Sequence, residues 1–159
     1  MGWDRVIGQQ RVKELLRRTL TSGTVAHAYL FWGGDGVGKD AMAIEFARAL
    51  NCLENKVDPC DNCASCKKVD VLQHPNISLI FALPVGKSEQ SGDDPITVLT
   101  DDQVSAIQEQ IRLKAENPYH RLSVPKANFI KINSVRDVRR EAALSAYEGG
   151  KRVFIISHA

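Results

Sequence analysis

A chain of 159 residues, 43% of them hydrophobic and 25% charged, is long enough for one globular domain and too short for two of ordinary size, and this balance excludes a disordered or fibrous protein. The formal charge of +2 hides an asymmetry: residues 1–111 hold 11 Lys/Arg against 15 Asp/Glu, whereas residues 112–159 hold 10 against 4, so the C-terminal third suits a nucleic acid, an acidic partner or a solvated basic face. No stretch approaches the roughly 20 apolar residues that cross a bilayer and no signal-peptide core follows Met1, which predicts a cytosolic (cytoplasmic) protein with no membrane partner.

In chain order, Val12, Leu15, Leu16 and Leu20 fall on one face of a helix predicted over 9–22. The continuous apolar run Ala28-Tyr29-Leu30-Phe31-Trp32, stopped by Gly33-Gly34, predicts a buried parallel strand. A glycine-rich loop follows, then a helix over 39–51, an order that opens an α/β unit. Residues 52–75 carry all four cysteines and no clear period. Residues 76–83 read as another inner strand closed by Pro84, and 84–99 as an exposed loop. Thr100 with Gln103 forms a capping-box signal for a helix that Asn117-Pro118 stops. Phe129–Ile132 reads as a short alternating strand, and Ser134 with Asp137 as a second capping box for a helix ending at Gly149-Gly150. Residues 152–157 read as a last strand.

Gly33-Gly34-Asp35-Gly36-Val37-Gly38-Lys39-Asp40 has the phosphate-loop spacing of glycine, four residues, glycine and lysine, between a predicted strand and a helix. Such a loop turns backbone N–H groups around phosphate oxygens, and the helix dipole and the lysine add positive charge. Asp40 departs from the pattern. A Ser or Thr hydroxyl ligates Mg²⁺ there without adding negative charge beside the phosphates. The last strand ends in Ser157-His158-Ala159, without the carboxylates that hold Mg²⁺ and orient water. Two readings follow: a loop that keeps its fold and has lost its nucleotide, or a degenerate ATP/Mg²⁺ site.

Cys52, Cys60, Cys63 and Cys66 have the spacing C-x7-C-x2-C-x2-C. Four thiols so placed can surround one tetrahedral Zn²⁺, with no open position and hence a structural role. An Fe–S cluster or free redox cysteines are the alternatives. His74 is a further conceivable ligand, although its place before Pro75 reads as turn structure.

Together, Val6-Ile7-Gly8-Gln9, His27–Phe31, the Gly33–Lys39 loop, Ala49-Leu50-Asn51-Cys52, the cysteine spacing and His74-Pro75-Asn76 resemble the bacterial DNA polymerase III clamp-loader subunits, gamma/tau and delta-prime. The resemblance covers most of 1–83 and resumes from about residue 132. It implies an α/β AAA+ P-loop fold with a parallel sheet flanked by helices, here partial over 1–159, a zinc module inserted at 52–68, and an insertion at 84–128 outside the family core. It implies Cys52, Cys60, Cys63 and Cys66 as zinc ligands, and Val6, Ile7, Gly33, Gly36, Gly38, Lys39 and Asp40 as a degenerate nucleotide site with no catalytic residue. Active gamma/tau members carry Thr or Ser where Asp40 stands and acids where Ser157 and His158 stand; those losses match delta-prime, the ATPase-inactive branch. The implied role is in DNA replication: to help other loader subunits (gamma/tau, delta) open the sliding clamp and load it on primed DNA. A DNA-stimulated ATPase and an independent zinc-containing DNA-binding module are the competing functions.

The family's sheet order, 5-1-4-3-2, implies that a chain ending with its third strand is a fragment. Such a fragment is expected to pair residues 28–32 directly with the last strand, or to complete its sheet with another copy. The basic side of the insertion, Arg112, Lys114, Arg121 and Lys126, is read as a DNA or subunit contact, or as a solvated face.

Overall fold

The computed structural model describes residues 2–86, 89–147 and 150–157. Its centre is a helix, α2 (Lys39–Asn51), and the sequence explains why. The stretch is rich in Ala and straight-chain residues, which favour helix, and from Ala41 to Asn51 every residue except Ala43 is buried. A helix buried nearly all round lies inside the domain, and its Arg48 and Asn51 are accommodated there by ion pairs and hydrogen bonds. One side packs on Trp3, Val6 and Leu16; the other meets Val69, Ile77 and Ile155. Trp3 lies in a single 3-10 turn (Trp3–Arg5), and Leu16 in α1 (Gln10–Ser22), which ends on Gly23 in the left-handed conformation.

The sheet consists of two parallel strands, β1 (Ile77–Ile80) and β2 (Val153–Ile156), with Ile77 opposite Val153 and Ile80 opposite Ile156. Two buried asparagines fix where β2 enters. Asn51 Oδ1 accepts from Lys151 N at 3.0 Å and from Asn76 Nδ2 at 3.3 Å. Asn76 exchanges two bonds with the Tyr147 backbone, each 2.6 Å. Gly150 is required at this junction: a Cβ there would lie 2.1 Å from Asn51 Oδ1, well inside contact distance.

Between the cysteines lies a helix that periodicity does not reveal, α3 (Ala64–Asp70), with Cys63 as its N-cap. It docks on α2 through charge as well as apolar contact. Arg48, fully buried, reaches Asp70 at 2.6 Å and Asp61 at 3.5 Å, and its Nε lies 3.3 Å from Glu45. Burial pushes the Glu45 carboxyl up to about 7 against the pull of Arg48.

Beyond β1 the chain builds α4 (Asp101–Glu116), whose Thr100–Gln103 capping box forms as expected, and then α5 (Ile132–Ala142). A second small apolar core forms beyond β1: Leu122, Val124 and Ile107 close around Phe81 and Leu83, which continue from the end of β1. Among the described residues no helix is long and apolar enough to cross a membrane.

Four expectations are corrected. Residues 28–32 are not a strand: they bond to no neighbour in the sheet, Leu30 and Trp32 are each 87% exposed, and the direct pairing with β2 does not form. The apolar run there measures hydrophobicity, but a strand exists only where a second backbone accepts its hydrogen bonds. Residues 129–132 are not a strand either. Lys131 Nζ is drawn inward to Glu89 at 2.7 Å and Asn133 Nδ2 to the Gln90 carbonyl at 2.9 Å, which fixes this segment against the 89–95 loop while Phe129 faces solvent. The Ser134–Asp137 capping box is absent because α5 starts three residues earlier than that box requires, at Ile132, with Lys131 as N-cap. That helix ends at Ala142, well before Gly150; Gly149 lies outside the described residues.

Candidate functional site

The four cysteines converge from three pieces of backbone. Cys52 follows the last turn of α2, Cys60 lies in the connecting loop, and Cys63 and Cys66 sit at the start of α3. All four Sγ atoms lie within 4.8 Å of one another, with Cys52 to Cys60 at 3.6 Å and Cys52 to Cys63 at 4.0 Å. Tetrahedral coordination at a metal–sulfur distance near 2.3 Å separates sulfurs by about 3.8 Å, so one ion of that kind fits between them. These separations are far beyond an S–S bond of about 2.05 Å, and all four thiols are free.

Backbone N–H groups point at the sulfurs: Asn55 and Cys60 donate to Cys52 Sγ, Cys63 to Cys60 Sγ, and Cys66 to Cys63 Sγ, at 3.3–3.5 Å. Such donors stabilise thiolates, the form that binds metal. At Cys63 burial opposes ionisation, yet the Cys66 N–H and its neighbours bring the thiol down to about 7; at Cys66 burial wins and pushes it up. His74 stands outside this cluster. Its Nδ1 accepts the Asn76 N–H at 3.1 Å, which puts the ring proton on Nε2, 2.9 Å from Ser65 Oγ; that hydroxyl donates to the Asn51 carbonyl at 2.6 Å. The ring braces the cysteine module against the entry to β1, in keeping with a turn role rather than metal ligation.

The glycine-rich segment forms a closed loop whose lysine folds back on it. Lys39 Nζ donates to the Gly33 and Gly34 carbonyls, both at 2.9 Å, and Gly38, at φ +90°, supplies the left-handed turn into α2. Gly36, Gly38, Lys39 and Asp40 share the wall of a cavity of about 120 Å³ with Lys114, Tyr119, His120 and Arg121. Asp40 is partly buried, its side chain 24% exposed. Its Oδ2 takes an ion pair from Lys114 Nζ at 2.7 Å, and the same ammonium donates to the His120 carbonyl at 2.7 Å; Lys114 is 2% exposed. Val6 is buried in the core beside Trp3, whereas Ile7 is exposed and donates its N–H to the Tyr119 hydroxyl at 2.6 Å. His158 lies outside the described residues.

Sequence reasoning missed Lys114 and Tyr119. Lys114 stood among four residues read as one basic side, and the structure separates them. Arg112 pairs with Glu109 and Glu116 on the exposed face of α4, Lys114 is buried against Asp40, and Arg121 lines the cavity. A lysine two positions from an arginine on a helix points elsewhere; that spacing was the available signal.

Known proteins resemble this chain over most of its length. The family described as DNA polymerase III, delta subunit, matches residues 8–159. The DNA polymerase III subunit delta' of Bacillus subtilis (strain 168) is 38% identical over 72 residues, 45% of this chain and 22% of that protein. Subunit tau of the same organism is 34% identical over 100 residues, 62% of this chain and 17% of that protein. Subunit tau of Escherichia coli (strain K12) is 35% identical over 89 residues, 55% and 14%. The matched stretches thus span about a fifth or less of these relatives' own lengths.

Proposed function

The chain belongs to the DNA polymerase III, delta subunit, family of clamp-loader proteins, and from that premise we propose that it is a non-catalytic loader subunit of the delta-prime type. In this role it helps its partner subunits place the sliding clamp on primed DNA, as a rigid part rather than as a motor. The observation that carries the reading is the Asp40–Lys114 ion pair. Where an ATPase needs a hydroxyl on Mg²⁺, this chain presents a carboxylate already neutralised by its own lysine. Lys39, whose task in a working loop is to meet the outer phosphates, is engaged with the Gly33 and Gly34 carbonyls.

The metal in this reading is Zn²⁺, held by Cys52, Cys60, Cys63 and Cys66. When bound it supplies a structural crosslink; four thiolates leave no position for water or substrate. The chain's own residues do the rest. Gly2 N donates to Asp61 Oδ2 at 2.8 Å and Trp3 Nε1 to the Val57 carbonyl at 2.9 Å, so the cysteine module also fastens the N-terminal segment.

Clamp loading by the reconstituted complex decides between this role and an active ATPase. In a non-catalytic subunit Lys39→Ala leaves the loading rate and the ATP turnover of the complex unchanged. In an ATPase subunit it lowers both by two orders of magnitude or more, which would sink the reading.

A further inference from the structure

We propose that the end of α4 and the turn after it, through Lys114 and Tyr119, form an intramolecular occupant of the phosphate loop that shuts nucleotide out. The inference rests on the non-catalytic reading above and gives the 84–128 segment a task within it.

Tyr119 does the covering. Its ring lies against the Gly38 backbone so closely that a Cβ on Gly38 would be 2.9 Å from Cε1. Its hydroxyl accepts the Ile7 N–H at 2.6 Å. One side chain therefore bridges Ile7 and the loop itself at Gly38. Lys114 supplies charge. Its buried ammonium against Asp40 neutralises the carboxylate, so the loop's first helical turn needs neither metal nor phosphate for balance.

The turn is built to stay in place. Asn117 Oδ1 accepts the Tyr119 N–H at 3.0 Å and the Asn117 carbonyl accepts the His120 N–H at 2.8 Å. Gln110 Oε1 accepts the Ser123 N–H at 3.0 Å and lies 2.9 Å from His120 Nε2. Ile107 and Leu122 tie this unit to Phe81.

Volume agrees with exclusion. The space left between loop and turn is about 120 Å³, below the roughly 300–1,000 Å³ of ordinary small-molecule sites. On the far side of Tyr119 lies a second cleft of about 490 Å³, bounded by Arg5, Ile7, Asp70 and Glu116. The tyrosine ring and Pro118 are the wall common to both, so removing the ring opens the loop to a nucleotide-sized space.

The test compares Mg²⁺-ATP binding by calorimetry for the full protein and two variants. Asp40→Thr with Lys114→Met removes both charges and keeps the tyrosine; adding Tyr119→Ala removes the cover. Wild type and the first variant are expected not to bind at 1 mM ATP, and the second to bind at least tenfold more tightly than either. Binding by wild type, equal binding by the two variants, or no binding by the folded second variant overturns the proposal. Should the second variant not fold, hydrogen exchange on Tyr119→Phe decides. The Ile7 amide is expected to be protected in wild type and to exchange at least tenfold faster in the variant; an unprotected Ile7 amide in wild type means the turn is not docked, and the proposal fails. ATP binding by wild type without turnover defeats only the occupant, whereas turnover lost with Lys39 defeats the non-catalytic reading itself.

Discussion

Asp40→Thr replaces the one residue that departs from the phosphate-loop pattern, so the pattern alone marks it as a repair. The structure says it does damage. Lys114 is 2% exposed and its ammonium has two partners, Asp40 at 2.7 Å and the His120 carbonyl at 2.7 Å. Removing one partner of a buried pair costs about 3–5 kcal/mol because the other charge stays buried. Asp40 retains 24% exposure beside an open cavity, and water can reach the orphaned ammonium, so about 2–3 kcal/mol is the fitting magnitude. For a chain of this length each kcal/mol moves the melting temperature by about 2–4 °C, which puts Asp40→Thr about 4–12 °C below wild type. Lys114→Met alone leaves a partly exposed carboxylate and costs less. In the double variant most of the loss returns, with a coupling energy near 2 kcal/mol. Calorimetric unfolding of the four proteins at one pH and fixed zinc measures the cycle. An Asp40→Thr protein as stable as wild type, or a coupling below about 0.5 kcal/mol, would refute the argument that this pair is internal and mutually required.

Cys63→Ser removes a metal ligand and the N-cap of α3 together, so elemental analysis is expected to fall from one metal per chain to none. Chelation of wild type should lower the melting temperature in the same way; full metal retention in the variant contradicts the four-thiol site. Glu45, raised from 4.5 to about 7 by burial, binds its proton more tightly in the folded protein, so its contribution is complete below pH 4.5 and is lost as pH rises through 7. The loss amounts to roughly 3 kcal/mol, and Glu45→Gln should flatten the urea midpoint across that window; an unchanged slope refutes the assignment. Gly150→Ala sets a methyl group against Asn51 Oδ1 at 2.1 Å and is expected to destabilise by about 2 kcal/mol or more. Adding Asn51→Ala should return part of that in denaturant titrations, and strict additivity would show that the two do not touch.

The helices were legible wherever local signals agreed. The Thr100–Gln103 box reports its own segment, as do Val12, Leu16 and Leu20, although Leu15, read on the same face, is 63% exposed. The cysteine spacing was equally local, because all four ligands lie within 15 residues. Strand status at 28–32 and 129–132 was not, since it depends on a partner backbone that no window of sequence contains. The contacts that define the phosphate loop's surroundings were the least legible. Lys114 lies 74 residues from Asp40, and Tyr119 lies 112 from Ile7; nothing in the composition of either segment announces the other. α3 was hidden for a different reason: seven residues capped by a cysteine give neither a full apolar period nor a conventional cap.

The same contrast between near and far contacts sets an order of assembly. The cysteine site is complete once Cys66 has been made, and a metal can close it at once. β1 has no sheet partner until Val153 to Ile156 arrive, roughly seventy residues later. At ordinary rates of synthesis that interval is on the order of ten seconds. For that time Ile77 to Ile80 have no strand beside them. Ile44, Ala47 and Val69, made earlier, can already cover Ile77, and Phe81, Leu83, Ile107 and Leu122 then gather around Leu79. The apolar contacts of β1 can thus form before its backbone has a strand to bond to.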